Sequence, residues 1–318
     1  MKISLLEPIG VSREQIEELA APVRAKGHTF VYYDAKTTDV EELKRRSAGC
    51  QVVMIANNPY PEEVVRASKD LQMLNVAFTG IDHVGIQACK ERGVVVCNAA
   101  NYSNQAVAEL AVGMAIALLR HVVSANQAVR EGKTSVGLLG CEIAGKTVGI
   151  VGTGRIGIIT AKLFQAFGAT VIASSRTCRP EAQKLGIRYV GLEELMRQSD
   201  IVSIHVPSNT STYRMIGKAQ IACMKPTALL INCARGPIVD STALAAALNE
   251  DRIAGAGIDV FDSEPPIPTD EPLLHAKNTL LTPHVAFLSQ EAMQRRAKIL
   301  FGNLLAYLNG QPENVCEL

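Results

Sequence analysis

Short apolar runs alternate with longer mixed stretches along this chain, and the alternation is renewed near its middle. The runs KISLLEP, HTFVYYD, QVVMIAN, LQMLNVAF and VVVCNAA are apolar and rich in β-branched residues, which predicts five strands before about Ala100. Between them lie stretches of helical pattern: the Glu- and Ala-rich segment from Ser12 to Lys26, then PEEVVRAS and IQACKERG. Such alternation is the pattern of a parallel sheet in an α/β unit.

The next stretch, NQAVAELAVGMAIALLRHVV, predicts one long helix over residues 104–123. Its Ala, Val and Leu spread around the helix predict burial on several sides, between two domains or in a plain core. A second α/β series opens at KTVGIVGTGRIG and continues through the predicted strands ATVIAS, IRYV, DIVSIHV, ALLINCA and AGAGIDVF. The final helix, SQEAMQRRAKILFGNLLAYLNG, is expected to return to the first domain. The expected architecture is therefore α/β, with two doubly wound domains built on parallel sheets. Residues 1–100 with 286–318 form one domain and residues 101–285 the other.

At 318 residues the chain can bury two sizeable cores. Its 32 Lys and Arg against 31 Asp and Glu give a net charge of +1, which argues against a nucleic-acid binder. No apolar run approaches the roughly 18 residues of a membrane span, and MKISLLEPIG reads as a first strand rather than a signal peptide. Eight cysteines (Cys50, Cys89, Cys97, Cys141, Cys178, Cys223, Cys233 and Cys316) form no CxxC pair and no cluster with zinc-ligand spacing. They are expected to be free, mostly buried thiols in a reducing cytoplasm, with no metal site.

Chemistry enters at GIVGTGRIG, where Gly152, Gly154 and Gly157 stand in G-x-G-x-x-G register after an apolar run and before a helical one. Gly152 permits the tight turn, Gly154 lets the backbone approach a pyrophosphate, and Gly157 lets helix and strand pack closely. The phosphates of a dinucleotide would then meet N–H groups at the helix N-terminus. About 20 residues on, such sites carry a carboxylate for the ribose hydroxyls. Here that place falls at Ser174 or Ser175, followed by Arg176 in SSRTCRP. A hydroxyl and a guanidinium suit a 2′-phosphate, so NADP(H) is favoured over NAD(H); a tolerant NAD site with a solvated Arg176 is the alternative.

Three further residues follow predicted strands: Arg235 in INCARGPIVD, Glu264 in GIDVFDSEPP and His284 in LLTPHVAF. Strand C-termini are where open α/β sheets gather ligands. Alone, a Glu before proline is usually a turn residue and a lone His a structural one. Together they suit carbonyl reduction of a 2-oxo acid. Arg235 can grip a carboxylate, His284 can give the proton, and Glu264 can fix the tautomer of His284 and keep its ring protonated.

In these residues the chain resembles the D-isomer-specific 2-hydroxyacid dehydrogenases, the family of D-3-phosphoglycerate dehydrogenase, glyoxylate/hydroxypyruvate reductase and D-lactate dehydrogenase. The likeness extends over FTGIDHVGIQACKERGVVVCNA, AVAELAVGMAIALLR, IVSIHVPSNTSTYRMI, INCARGPIVD, GAGIDVFDSEP and LLTPHVA, nearly the whole length. It implies a discontinuous substrate domain, a central Rossmann-like cofactor domain, an active site in the cleft between them, and a homodimer formed through the cofactor domains. It implies Arg235 as substrate anchor, His284 as acid/base and Glu264 as its partner. Cofactor contacts carried over from the resemblance are Arg155, Ile156, Ser175, Val206, Cys233, Ala234 and Arg235, with Asp259 near the carboxamide. On the substrate side they are Thr79 and Gly80.

The chain departs from the family pattern in places. Ser175 replaces the usual aspartate, Gly85 stands where aspartate is frequent, and Phe287 stands where glycine is common, so that its ring can line the substrate pocket. The loop IANNPYP offers Asn57, Asn58 and Tyr60 to a substrate, without a basic side chain. That loop, and the short tail after the last helix, favour an uncharged side chain on a small 2-oxo acid. The alternatives are oxidation of the phosphoglycerate dehydrogenase type and a catalytically weak, dinucleotide-sensing binding protein. Formate dehydrogenases of the same scaffold carry Gln in place of the glutamate, and Glu264 argues against that group.

Overall fold

The computed structural model describes residues 1–318. The chain divides into two compact units, Met1–Ser103 with Leu288–Leu318, and Asn104–Phe287. The first stretch runs β1 (Lys2–Leu5), α1 (Arg13–Ala25), β2 (Thr29–Tyr32), α2 (Val40–Ser47), β3 (Val52–Ile55), α3 (Glu62–Ala67), β4 (Met73–Val76), α4 (Ile86–Glu91) and β5 (Val95–Asn98). The second unit holds α5 (Asn104–Leu119), α6 (Val122–Arg130), β6 (Thr147–Val151), α7 (Arg155–Ala166), β7 (Thr170–Ser174), α8 (Pro180–Lys184), β8 (Arg188–Tyr189), α9 (Leu192–Gln198) and β9 (Ile201–Ile204). It continues through α10 (Lys218–Ala222), β10 (Leu229–Asn232), α11 (Ser241–Asn249), β11 (Gly255–Ile258) and β12 (Thr279–Leu281), after which α12 (Gln290–Leu308) joins the first unit.

In the first unit five parallel strands lie in the order β2-β1-β3-β4-β5, a doubly wound arrangement of the flavodoxin type. Every residue of β3 and β4 is buried, as expected for strands covered on both faces. Ser12 caps α1 through a reciprocal capping box with Gln15. The last helix completes this core: Ala297, Leu300, Phe301 and Leu304 pack with Ile3, Leu5 and Phe30, and the Phe30 and Phe301 rings lie 5.6 Å apart. Asn75 Nδ2 donates to Leu300 O (2.8 Å) and Asn303 Nδ2 to Asn98 O (2.9 Å), so buried amides as well as apolar faces hold α12 there.

In the second unit seven parallel strands lie in the order β12-β11-β10-β9-β6-β7-β8. Read from its first strand, this is the Rossmann order with a seventh strand added at one edge, and its switch point lies between β6 and β9. Alternate residues serve opposite faces: Val148, Ile150 and Ile231 join the layer under α5 and α7, while Val151, Ile204, Leu230 and Ile258 join the layer on the other side.

The predicted single helix over residues 104–123 is in fact two, α5 and α6, bent by 55°. His121 takes a left-handed conformation (φ 51°) between them. The cause lies outside the helix. The Leu119 carbonyl, which would accept the Val123 N–H in a continuous helix, accepts the Cys141 N–H instead (2.9 Å). Gly140 packs so tightly there that a Cβ would stand 2.5 Å from that oxygen. Beyond the bend Val122, Val123, Val129, Val136 and Leu139 are all exposed. No single helix of the chain is long and apolar enough to cross a membrane.

All eight cysteines are free, but only Cys50, Cys89, Cys97 and Cys233 are buried; Cys141 and Cys178 are exposed. Burial pushes the Cys89 thiol up to about 11 and Cys97 up to about 12, which keeps both inert near neutral pH.

Candidate active site

The strands of the second unit end in one row. Val151 pairs with Ser174 and Ile204, Asn232 with Ile204 and Ile258, and Ile258 with Leu281. The glycine loop leaves β6, Ser175 and Arg176 leave β7, Val206 leaves β9, Cys233 to Arg235 leave β10, Asp259 and Glu264 leave β11, and His284 leaves β12. The predicted cofactor and catalytic residues thus leave the carboxyl edge of a single sheet, whose neighbouring strands are about 4.8 Å apart.

Each glycine of the loop meets a different demand. Gly152 has φ +98°, and a Cβ there would stand 2.7 Å from His205 O. A Cβ on Gly157 would stand 2.0 Å from Gly152 O, so only glycine lets α7 begin so close to the turn. Gly154 faces open space and caps α7 without a side-chain hydrogen bond. The arrangement suits a pyrophosphate: an open approach to a twelve-residue helix with no side-chain cap. Arg155 is exposed and Ile156 half-buried at the same turn.

Arg235 is set by a small device that the sequence did not disclose. Asn232, at the end of β10, accepts the Ala234 N–H on Oδ1 (3.0 Å) and donates from Nδ2 to Arg235 O (2.9 Å). A Cβ on Gly236 would stand 1.9 Å from Phe261 O, so the chain can turn there only as glycine. Arg235 itself donates from Nη1 to Ala234 O (2.8 Å). Cys233 lies buried behind this turn against Met114, where desolvation holds its thiol protonated.

His284 and Glu264 do meet. The imidazole Nδ1 lies 2.7 and 2.9 Å from the two carboxylate oxygens. The His284 side chain is 10% exposed and that of Glu264 61%. Phe287 stands edge-on to the imidazole, with ring centroids 5.4 Å apart. His284 adopts φ 55°, rare for a residue with a side chain. Its N–H donates to Asp259 O (2.8 Å) and to Thr282 O (3.1 Å).

The Asp259 carboxylate is what holds that turn. Oδ1 accepts from Thr282 Oγ1 (2.5 Å) and Val285 N–H (2.8 Å), and Oδ2 from Ala286 N–H (2.9 Å). Burial raises its pKa, opposed by these hydrogen bonds and by the nearby His284. The resemblance gave Asp259 only a place near the carboxamide; the structure shows a buried carboxylate shaping the loop that carries His284.

In the first unit Asn57 follows β3, while Thr79 and Gly80 follow β4. Thr79 is exposed and accepts from Asn98 Nδ2 through its carbonyl (2.8 Å). One expectation about this loop fails. Tyr60 is fully buried, with its hydroxyl on Ser47 and Ser68, and belongs to the core. The loop has no basic side chain of its own, as expected, but one reaches it: Lys36, from the segment after β2, donates from Nζ to Asn57 Oδ1 (2.9 Å). Beneath them the buried Glu7 accepts the Ala56 and Asn58 N–H groups on Oε1 (2.7 and 3.1 Å) and lies 3.7 Å from Lys36.

Residues 112–286 match the model of the D-isomer-specific 2-hydroxyacid dehydrogenase NAD-binding domain. The chain is 39% identical over 288 residues to a glyoxylate reductase of Korarchaeum cryptofilum, covering 88% of this chain and 86% of that one. It is 35% identical over 300 residues to a hydroxypyruvate reductase of Blautia hydrogenotrophica, covering 92% and 93%. Among solved structures it resembles an acyclic imino acid reductase in complex with NADPH and D-arginine, at 29% identity, a TM-score of 0.89 and full coverage of both chains.

Proposed function

Since the chain belongs to the D-isomer-specific 2-hydroxyacid dehydrogenase family, we propose that it reduces a small 2-oxo acid to the D-2-hydroxy acid, with His284 as acid/base, Glu264 as its partner and Arg235 as substrate anchor. The contact of His284 Nδ1 with both Glu264 oxygens, 2.7 and 2.9 Å, carries this reading. With Nδ1 engaged, proton transfer to a carbonyl oxygen falls to Nε2, and the carboxylate balances the charge of the ring. Arg235 presents a planar cation that can grip carboxylate and carbonyl oxygens together. Asp259 keeps the His284 turn from relaxing.

The Asn104–Phe287 unit is assigned the cofactor and the other unit the substrate loop, with Asn57, Thr79 and Gly80 as its contacts. Gly152, Gly154, Arg155, Ile156 and Gly157 would hold the pyrophosphate, Val206 would flank the adenosine side, and Cys233, Ala234 and Asp259 the nicotinamide side. The nicotinamide ring supplies the hydride when the cofactor is bound. Ser175 and the exposed Arg176 suit a 2′-phosphate, so NADP(H) is proposed over NAD(H). The exposed Val122, Val123, Val129, Val136 and Leu139 suit a homodimer formed through this unit. Eight free thiols suit the reducing cytoplasm.

One observation favours a second reading. Lys36 beside Asn57 gives the substrate loop a cation, as an anionic or phosphorylated substrate would want. Both readings are tested by incubating the protein with NADPH or NADH and glyoxylate, hydroxypyruvate, pyruvate, a branched-chain 2-oxo acid, phenylpyruvate or 3-phosphohydroxypyruvate, then resolving the product enantiomers. D-2-hydroxy acids from the unphosphorylated substrates, made faster with NADPH, are expected. Selective turnover of the phosphorylated acid moves the reading to the Lys36 alternative. Cofactor binding without any product would make the protein a sensor.

A further inference from the structure

The segment that carries Ser175 and Arg176 is fastened at both ends to the glycine loop. Upstream, Gly152 N–H donates to Ser174 O (2.8 Å). Downstream, a chain of three hydrogen bonds crosses from the loop after β7 to the glycine turn. Arg179 N–H donates to the Tyr189 hydroxyl (2.9 Å), which donates to Thr153 Oγ1 (2.8 Å), which donates to Thr177 O (3.5 Å). Tyr189 reaches this point because β8 pairs with β7 in a register that sets it beside Ala173. Thr153, between Gly152 and Gly154, is buried (2% exposed), so its hydroxyl is shut off from competing water.

We propose that Tyr189 and Thr153 are positioning residues for the adenosine 2′-phosphate: they hold residues 175–179 in one conformation, tied to the pyrophosphate turn, before the cofactor arrives. The inference rests on the NADP(H) reading above and deepens it. Arg176, Thr177, Cys178 and Arg179 are all exposed, and a short exposed loop without such ties must be ordered by its ligand. That ordering weakens binding. Linked hydrogen bonds also reinforce one another, so the three act as one clasp rather than as separate contacts. The two guanidinium-bearing residues, Arg176 and Arg179, lie on either side of Thr177, whose carbonyl the clasp holds, and Arg179 is fixed through its own backbone N–H. The pyrophosphate turn does not need the clasp, because Gly152 and Gly157 are held by their own packing. Loss of Tyr189 should therefore act on the phosphorylated cofactor selectively.

The test is calorimetric titration of NADP+, NAD+ and adenosine 2′,5′-bisphosphate into wild type, Tyr189→Phe, Thr153→Val, Thr153→Ser and Arg176→Ala, with ligand-free melting temperatures alongside. Tyr189→Phe keeps the ring and removes only the hydroxyl. It should weaken NADP+ and the bisphosphate roughly fivefold to tenfold, about the effect of one or two net hydrogen bonds, with NAD+ changed by less than about twofold and melting unchanged. Thr153→Val should lower the NADP+-to-NAD+ ratio in the same way, and Thr153→Ser should restore it. Parallel losses of NADP+ and NAD+, or no change in either, overturn the clasp. A wild type without preference for NADP+, with Arg176→Ala equally indifferent, removes the cofactor reading itself, a result distinct from failure of the clasp alone.

Discussion

Two histidines stand at the carboxyl edge of the seven-stranded sheet, and their surroundings separate them. His205, just past β9, bonds Ser203 Oγ through Nε2 (2.8 Å), and desolvation pushes it down to about 3. It is neutral throughout the physiological range and has no proton to give as an imidazolium. His284 has a carboxylate at its back. Arg235 is equally particular: a lysine there would keep the charge and lose the planar fork. We expect Arg235→Lys to raise KM for the 2-oxo acid by roughly tenfold to a hundredfold, the value of a charged hydrogen bond or two, with cofactor affinity little changed. Steady-state kinetics beside cofactor titration checks this; an unchanged KM would remove Arg235 as anchor. The strand-end positions of Arg235, Glu264 and His284 were legible because residue type and the end of an apolar run coincide in the sequence. Their supports were not. Asn232 and Asp259 act through hydrogen bonds whose partners depend on turn geometry, and so do Thr153 and Tyr189 beside the Arg176 loop, which are 36 residues apart. Lys36 was missed, and Tyr60 misplaced, because periodicity does not say which loop another segment reaches.

At the scale of elements, the strands themselves emerged well from alternation, since a covered parallel strand must be a short apolar run, while their order in each sheet came only with the structure. The bend between α5 and α6 did not, because its cause, the Cys141 N–H on Leu119 O, lies beyond the helix. At the amino edge of the sheet, opposite the site, Asp200 fixes two central strands: its Oδ2 accepts the Thr147 N–H (2.8 Å) and its Oδ1 the Lys225 ammonium (2.8 Å). Burial alone would raise this carboxyl, but Lys225 and Thr147 outweigh it and hold the pKa below the ordinary value. The sign follows. A depressed folded-state pKa gives stability that is present above the unfolded value, about 4, and lost as pH falls through the folded value. Asp200→Asn should therefore destabilise by about 1 kcal/mol at neutral pH, and its gap from wild type should close in acid. Urea unfolding at several pH values measures it; a gap that widens in acid would contradict the assignment.

For the whole molecule, near-neutral charge and two doubly wound sheets say little about chemistry, since a fold hosts many activities. The chemistry proposed above is placed at one sheet edge, which the segments carrying His284, Glu264, Arg235 and the glycine loop all leave. The α12 helix shows how the chain divides: Phe301 and Asn303 anchor it to the first sheet, so the first unit is assembled from both chain ends and the second from the residues between them in sequence. The pattern of two halves already led the sequence to that return, while the buried amides that secure it appear only in three dimensions. The most direct test of the account is a paired measurement on wild type and His284→Ala: turnover of reduced cofactor with a 2-oxo acid, and cofactor affinity by titration. Loss of general acid catalysis should lower kcat by roughly 10² to 10⁴, with cofactor affinity within about twofold because His284 lies outside the glycine loop. Retained turnover, or equal losses in turnover and cofactor affinity, would contradict His284 as the proton donor and the proposed reduction with it.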